Sequence, residues 1–274
     1  MTLTETAYDI AGPEDGPPVV LIHGLGLSRA IWAGLMPALA AEHRVLSYDF
    51  PGHGQSGPAP RKMSLERYAE QVRGLMDAAG MESATVIGFS LGGMINRKLA
   101  MMAPERVRAL AILNSPHERS PEAQARVEAQ ADQSAQGGPG ATIDAALERW
   151  FTEGFRKEHE DVVEAVRAQV LTCDPASYAD ARSVLAHGVK ELIAPEPPLA
   201  LPTLIATSEN DSGSTPGMAR AMQEEIAGSV LEIVPEVKHL GLLERREVFE
   251  RMLLAFLDRV EAGEAPAVRR GVAG

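Results

Sequence analysis

A serine flanked by glycines is the strongest chemical signal in the sequence. Residues 88–92 read GFSLG, which matches the pattern G-x-S-x-G with Ser90 at its centre. The pattern follows an apolar run and opens a stretch of helical character, so it predicts a sharp turn from a strand into a helix. Such a turn holds the serine in a strained conformation at a helix N-terminus, where negative charge is stabilised. Ser90 is therefore the predicted nucleophile.

A serine hydroxyl is a weak nucleophile and needs a base. Of the seven histidines, three precede Ser90 and three lie in a polar segment between residues 117 and 200. His239 follows the later apolar runs, in a loop before the last helical stretch. A nucleophile on a strand-turn-helix is followed along the chain by the acid and then by the histidine. His239 is therefore the predicted base.

The third member of such a triad is a carboxylate that fixes the histidine tautomer. The loop after the apolar run at 201–207 contains Glu209 and Asp211. Alternation along an extended strand points both the same way, so it does not separate them. Asp211 lies nearer the loop tip and is the prediction, with Glu209 as the alternative. The other usual place for the acid is taken by Asn114, whose amide cannot supply the stabilising charge.

Hydrolysis through a serine also requires two backbone N–H groups that stabilise the oxyanion. The prediction is Leu91, directly after the nucleophile, and Leu25, within the HGLG sequence at 23–26. Glycines on either side of Leu25 allow the backbone to approach a substrate closely. His23 and His53 are interpreted as residues that hold their loops rather than contact substrate.

The elements that must position these residues appear as short apolar runs separated by helical stretches. The runs are 19–23, 44–48, 84–87, 107–113, 201–207 and 229–234. The helical stretches between and after them are 29–40, 64–79, 91–103, 216–227 and 242–260. This alternation predicts an α/β fold with a mostly parallel central sheet and helices on both faces.

The alternation is interrupted by a polar segment rich in Ala, Glu and Gln at 117–200, which has mostly helical character. Parallel strands carry ligand sites at their carboxyl ends, and this segment leaves the end of one strand. It is predicted to be a helical lid. The predicted core is then 1–116 together with 201–260, and the small polar tail at 261–274 is expected to be disordered.

Taken together, these motifs resemble those of the α/β-hydrolase superfamily over nearly the whole chain. The segments HGLG, DFPGHGQS, GFSLGG, END and VKHLGLLE occur in the same order and spacing. More narrowly, the chain resembles the 3-oxoadipate enol-lactonase-like group. The features behind this are ERWFT at 148–152, CDP at 173–175 followed by Tyr178 and Ala179, and Pro216 five residues after the acid. In that group the aspartate of the acid loop is the triad acid, which implies Asp211.

The chain departs from the superfamily pattern in three places. Only 18 residues precede the run at 19–23, which implies that the usual first strand is short or absent. Ser208 stands where a glycine is usual, and Lys238 stands where glycine or alanine is frequent. These departures weaken the assignment of an exact substrate, but they leave the predicted class of reaction unchanged.

The predicted activity is hydrolysis of a carboxylic ester or lactone, of carboxylesterase or lactonase type, through an acyl-enzyme. Hydrolysis of a C–C bond or perhydrolysis on the same triad is the alternative. A ligand-binding homologue without activity is a further alternative, although all three triad positions are filled.

If the resemblance extends to the substrate, the ligand carries a carboxylate that needs a cationic partner. Arg119, at the junction with the lid, is the candidate, and Arg149 is the alternative. Trp150, with Phe151 and Phe155, could line the pocket or could form the packing of the lid.

Composition excludes several other classes of protein. The net charge of −12 is spread along the chain, which argues against nucleic acid and anionic membranes as partners. There is no apolar run of about 18 residues and no apolar N-terminal leader, so the expected location is the cytoplasm. One cysteine permits no internal disulfide, and no H-E-x-x-H or dinucleotide fingerprint is present, so neither a metal nor a cofactor is expected. The expected partner is a small ester or lactone, and a homodimer stays open.

Overall fold

The computed structural model describes residues 5–60 and 62–264, and its centre is one seven-stranded sheet. The strands are β1 (Tyr8–Ala11), β2 (Pro18–Ile22), β3 (Arg44–Tyr48), β4 (Ala84–Phe89), β5 (Val107–Leu113), β6 (Thr203–Ser208) and β7 (Val230–Val234). Their spatial order is β1-β3-β2-β4-β5-β6-β7. Every pair is parallel except β1 with β3. This is the predicted α/β-hydrolase fold.

The first strand, β1, is present and short. Its four residues pair antiparallel with β3, and Tyr8 and Ile10 remain 40% exposed. Since one face of this edge strand stays open to solvent, it lacks the long apolar run that marks the inner strands.

Helices cover both faces of the sheet. They are α1 (Met36–Leu39), α2 (Leu65–Ala78), α3 (Leu91–Met102), α4 (Pro121–Gly137), α5 (Ile143–Trp150), α6 (Glu153–Glu158), α7 (Glu160–Leu171), α8 (Pro175–His187), α9 (Pro216–Glu225), α10 (Gly241–Glu244) and α11 (Arg246–Glu261). Side chains of a strand alternate between faces, and all six residues of the central strand β4 are buried. Both faces must therefore be covered, which is why this strand reads as a continuous apolar run.

The segment predicted to be a lid contains α4 to α8, all inserted between β5 and β6. Each of these strands pairs with the other in parallel, so the insertion begins at the carboxyl edge of the sheet. The predicted disordered tail begins at Glu261, where α11 ends. Residues 265–274 of that tail lie outside the described residues.

Two predicted helices are each broken into two pieces. The stretch at 29–40 forms a 3-10 helix at Arg29–Trp32 and the four-residue α1. Gly34 lies between the two, and Pro37, the second residue of α1, has no N–H to donate to the preceding turn. The stretch at 242–260 is interrupted at Arg245, whose backbone is not helical (φ −131°, ψ 51°). Apolar periodicity alone did not reveal either break.

No helix in the described part of the chain is long and apolar enough to cross a bilayer.

Candidate active site

Ser90 lies on a sharp turn between β4 and α3. Its backbone has φ 56° and ψ −113°, in a region that costs energy for any residue other than glycine. A Cβ at Gly88 would lie 2.2 Å from the Gly92 carbonyl oxygen, and one at Gly92 would lie 2.2 Å from that of Ile22. Both glycines of the motif are therefore required by close backbone contacts. The turn leaves the serine side chain at the N-terminus of α3.

His239 lies between Ser90 and Asp211. Its Nε2 is 3.1 Å from Ser90 Oγ, and its Nδ1 is 2.7 Å from Asp211 Oδ2. A carboxylate accepts a hydrogen bond, so Nδ1 carries the proton in the neutral ring and Nε2 is left as an acceptor. This tautomer can take the proton of the Ser90 hydroxyl. The structure thus brings together the three residues that were predicted from separate loops.

Asp211 is 3% exposed and has a complete set of hydrogen-bond donors. Its Oδ1 accepts from the backbone N–H groups of Gly213 and Ser214, at 2.8 and 2.9 Å. Its Oδ2 accepts from Asn114 Nδ2 at 2.9 Å as well as from His239. Burial alone would raise the pKa of this carboxyl, but His239 and the other donors outweigh burial and hold the pKa below its usual value. Asp211 therefore stays ionised beside the histidine.

Glu209, the alternative acid, faces away from this group. It is exposed, and its Oε2 accepts a hydrogen bond from the backbone N–H of Glu236 at 2.9 Å. This contact ties the acid loop to the turn after β7. The alternation argument could not separate the two carboxylates because the loop turns immediately after Ser208 and the strand geometry ends there.

The two predicted oxyanion donors lie on either side of the serine. Leu91 is the first residue of α3, so its N–H has no acceptor within the helix. Leu25 lines the cavity beside Ser90, and its N–H donates no hydrogen bond to any other described residue. The backbone N–H groups of Leu25 and Leu91 are therefore both free to donate to an oxygen of a ligand bound at Ser90.

His23 and His53 hold the loops around the site. The Phe50 N–H donates to His23 Nε2 at 2.9 Å, and His23 Nδ1 lies 2.7 Å from the Gly24 carbonyl oxygen. His53 Nδ1 lies 3.0 Å from the Pro51 carbonyl oxygen. Burial lowers the pKa of His23 well below its ordinary value and lowers that of His53 to about 4. Both rings are therefore neutral at physiological pH.

A cavity of about 100 Å³ lies over Ser90, between the sheet edge and the lid. Its lid side includes Trp150, whose ring centroid is 6.3 Å from that of His239. Phe151 and Phe155 instead stack on each other at 5.3 Å and do not line the cavity. This volume is smaller than the engineered cavity of about 150 Å³ that holds benzene. The space directly above Ser90 therefore suits only a compact substrate group.

Three arginines line this cavity. Arg119 and Arg149 were singled out from the sequence, whereas Arg182 was missed. Arg182 lies on α8, in a polar helical segment where no local sequence pattern marks it as buried. Burial, together with the neighbouring charge of Arg182, lowers the pKa of Arg119 to about 10. The lid side of the cavity is therefore cationic although the whole chain is acidic.

The helical insertion at 117–200, which was predicted to be a lid, is hydrogen-bonded to the segment that carries His239. The Leu240 N–H donates to the Trp150 carbonyl oxygen at 2.9 Å. Thr152 donates to the Glu244 carboxylate through both its N–H and its hydroxyl. Lys238, which departs from the superfamily pattern, donates to the Glu148 carbonyl oxygen at 2.8 Å. These contacts join residues 148–152, at the end of α5 and just after it, to residues 238–244.

No group of three or more His, Cys, Asp or Glu side chains within residues 5–60 and 62–264 is arranged to hold a metal ion. Cys173 is buried near the Gly26 carbonyl oxygen, and burial raises the pKa of its thiol to about 12. It is therefore a poor nucleophile at neutral pH.

Comparison with known proteins points to the same fold and to hydrolases that act on esters or lactones. A family model described as the alpha/beta hydrolase fold matches residues 17–136. A 3-oxoadipate enol-lactonase from Acinetobacter baylyi is 26% identical over 256 residues, which is 93% of this chain and 94% of that protein.

Among the solved structures that are similar over almost their full length are an enol-lactonase and an esterase. The enol-lactonase from Burkholderia xenovorans has a TM-score of 0.83 at 28% identity, covering 92% of this chain and 96% of its own. A thermophilic esterase from Thermogutta terrifontis, solved with malate bound, has a TM-score of 0.83 at 27% identity, covering 93% of each chain. Both of these proteins are named as enzymes that act on ester bonds.

Proposed function

We propose that this chain, an ester-acting hydrolase of the α/β-hydrolase superfamily, cleaves a carboxylic ester or lactone through an acyl-enzyme on Ser90. Within the superfamily it resembles the enol-lactonase-like group. The observation that carries this proposal is the continuous set of contacts from Ser90 Oγ to His239 and from His239 to the buried Asp211. The similarity to an enol-lactonase and an esterase supports it.

In the proposed first step, Ser90 Oγ attacks the carbonyl carbon of the substrate while His239 Nε2 takes the hydroxyl proton. The carbonyl oxygen becomes an oxyanion, and the N–H groups of Leu25 and Leu91 donate to it. Asp211 stabilises the imidazolium, since its ionised carboxylate lies against Nδ1. The tetrahedral intermediate then collapses and the C–O bond breaks. His239 gives its proton to the leaving alkoxide, which departs as an alcohol.

In the second step, water attacks the acyl group on Ser90. His239 takes a proton from that water and returns one to the serine oxygen as the acyl-enzyme bond breaks. The products are a carboxylic acid and the free enzyme. For a lactone the alcohol and the acid are two ends of one molecule, and the same proton transfers apply.

The segment 117–200 acts as a lid in this proposal, over a core formed by 1–116 and 201–260. Lid residues, among them Val127, Trp150 and Leu185, form one side of the cavity above Ser90. By covering the site, these side chains keep bulk water away from the oxyanion and strengthen its hydrogen bonds.

The direct test is to trap the acyl-enzyme. Wild-type protein mixed rapidly with excess p-nitrophenyl butyrate is expected to release a burst of nitrophenolate. Acid quenching and mass spectrometry should place one butyryl group on the peptide that contains Ser90. Ser90→Ala should show neither the burst nor the adduct, and should lose at least about 1,000-fold in kcat. Turnover by the wild type without an adduct, or by Ser90→Ala at a substantial rate, would contradict the proposal.

A further inference from the structure

Arg97 is a buried cation on α3, the helix that follows the nucleophile turn. It is 1% exposed, and its Nη2 donates to Ser115 Oγ at 3.1 Å and to the Pro116 carbonyl oxygen at 2.7 Å. Its Nε donates to the Gly93 carbonyl oxygen, one turn earlier in the helix, at 2.8 Å. The charge of Glu225 acts on Arg97, but no ion pair joins the two side chains. Since a buried cation without a directly bonded carboxylate is costly for stability, Arg97 indicates a role beyond stabilising the fold.

Residues 113–116, which are the last residue of β5 and the three that follow it, contact both the nucleophile turn and the acid. The Ser90 N–H donates to the Leu113 carbonyl oxygen at 2.8 Å. The next residue, Asn114, donates through Nδ2 to Asp211 Oδ2 at 2.9 Å. A displacement of this segment would therefore move a hydrogen-bond donor of Asp211 relative to the serine.

The backbone of Asn114 is strained and must be held in place by its neighbours. Its φ of 45° lies in the left-handed region, which persists in a residue other than glycine only where the surrounding structure fixes it. On the strand side, the Asn114 N–H donates to the Ala206 carbonyl oxygen at 2.8 Å and continues the pairing of β5 with β6. On the other side, Ser115 and Pro116 make no hydrogen bonds within the described part of the chain except those from Arg97. Arg97 therefore fixes the chain on the side that the sheet does not reach.

We propose that Arg97 is a positioning residue that holds Asn114 against Asp211 and so keeps the carboxylate aligned with His239. Arg97 does not line the cavity above Ser90, so it acts without touching the substrate. This inference rests on the proposed function, because it concerns the alignment of the same triad. The Asp211 carboxylate stabilises the imidazolium that forms during proton transfer. Misalignment should therefore slow the chemical step more than it weakens ester binding.

The first test is Arg97→Met, which keeps an unbranched apolar stem and removes all guanidinium donors. From the nitrophenolate burst with p-nitrophenyl butyrate, we expect the acylation rate constant to fall roughly tenfold, as for a hydrogen bond to a charged group. The ester concentration at half-saturation should stay within about threefold of the wild-type value. Arg97→Lys retains a cation that can donate to one of the three acceptors, so it should give an intermediate rate. An acylation rate in Arg97→Met within about twofold of the wild type, or a change confined to half-saturation, would overturn the inference.

A double variant, Arg97→Met with Asn114→Leu, tests whether Arg97 acts through Asn114. Asn114→Leu alone removes the donor to Asp211 and is expected to slow acylation roughly tenfold. The double variant should be no more than about threefold slower than Asn114→Leu, because the contact that Arg97 supports is already gone. Independent effects would multiply to roughly a hundredfold loss, and that result would contradict the inference.

The pH dependence separates alignment of the triad from a general loosening of the fold. A misaligned carboxylate stabilises the imidazolium less, so the acidic limb of the kcat/KM profile should move to lower pH. We expect a shift of about half a pH unit in both Arg97→Met and Asn114→Leu. An unshifted limb in a slow but folded Arg97→Met would mean that its loss of rate has another cause, and the inference would fail.

Lys98→Met is the matched control, since Lys98 is the next residue of α3 and its Nζ donates to Glu191 at 2.8 Å. It removes the same charge from the same helix and breaks an ion pair, but it leaves the contacts of residues 113–116 intact. Lys98→Met should keep the wild-type acylation rate and pH profile. If it lost as much rate as Arg97→Met, any weakening of α3 would slow the reaction, and Arg97 would have no special role.

Ser115→Ala addresses the same contact from its other end and keeps the inference testable if Arg97→Met does not fold. It removes one acceptor of Arg97 and should slow acylation by about threefold in the wild type but not in Asn114→Leu. No loss in the wild type, or an equal loss in both backgrounds, would contradict the inference. A wild type that releases no nitrophenolate would instead contradict the proposed function, so the two failures are distinguishable.

Discussion

Asn114 and His239 donate to the same oxygen of Asp211. Asn114 Nδ2 lies 2.9 Å from Asp211 Oδ2, and His239 Nδ1 lies 2.7 Å from that oxygen. Asn114 directly follows β5, with a positive φ of 45°, at the position that was considered as the other usual place for the acid. In this chain, the residue at the alternative acid position therefore supports the acid that follows β6.

Removal of that support is expected to slow catalysis without abolishing it. Asn114→Leu deletes one donor to Oδ2, so the pKa of Asp211 should rise and its interaction with the imidazolium should weaken. We expect kcat to fall by about tenfold, the value of a single hydrogen bond to a charged group. Steady-state kinetics with p-nitrophenyl butyrate would measure this. A fully active Asn114→Leu would show that this hydrogen bond is not needed for catalysis.

The two carboxylates of the acid loop should respond very differently to amidation. Asp211→Asn places an NH₂ or a neutral oxygen against His239 Nδ1, which removes the stabilising charge and favours the wrong tautomer. We expect kcat to fall by about 10³- to 10⁴-fold. Glu209→Gln changes an exposed side chain whose backbone contact an amide oxygen can still accept, so less than about threefold is expected. The reverse order would assign the acid to Glu209.

Acid should destabilise the fold partly through His53. The folded-state pKa of about 4 lies below the value of about 6.5 for an unfolded histidine, because burial penalises the charged ring. Its contribution is therefore fully present above pH ~6.5 and is lost as the pH falls towards 4. From pH 7 to 4.5 this amounts to about 2 to 3 kcal/mol.

His53→Asn tests that contribution, because an amide can donate to the Pro51 carbonyl oxygen without titrating in this range. Urea unfolding at both pH values should show a free energy of unfolding that falls less steeply for this variant than for the wild type. His159→Asn, at an exposed histidine, should retain the wild-type dependence. Identical slopes for His53→Asn and the wild type would exclude the mechanism.

A chelator is expected to leave the activity unchanged, because the proposed reaction uses only side chains and backbone N–H groups. Overnight dialysis against EDTA, followed by assay with and without added Zn²⁺, would check this. Loss of activity that zinc restores would require a different mechanism.

The sequence was most informative where a local pattern determines the structure. The turn at Ser90 needs glycines at fixed positions, and the order of strands and loops limits which histidine can reach the serine. Asp211 and Glu209 could not be separated, because the choice depends on how one loop turns after β6. Arg182 was missed for a related reason. An arginine in a polar helical segment looks solvent-exposed until the packing of α4 against α8 is known.

Hydrogen bonds between the end of α5 and the segment from Lys238 to Glu244 fix the proposed lid to the loop that carries His239. Exchanging the lid between relatives is one way to change the substrate. In this chain, a graft confined to 117–200 would remove the hydrogen bonds that hold the His239 loop in place. A chimaera would then lose turnover for reasons unrelated to how well its new pocket fits. Transferring residues 238–244 together with the lid would keep these hydrogen bonds and the position of His239. The segment to be exchanged therefore consists of two separate parts of the sequence, 117–200 and 238–244.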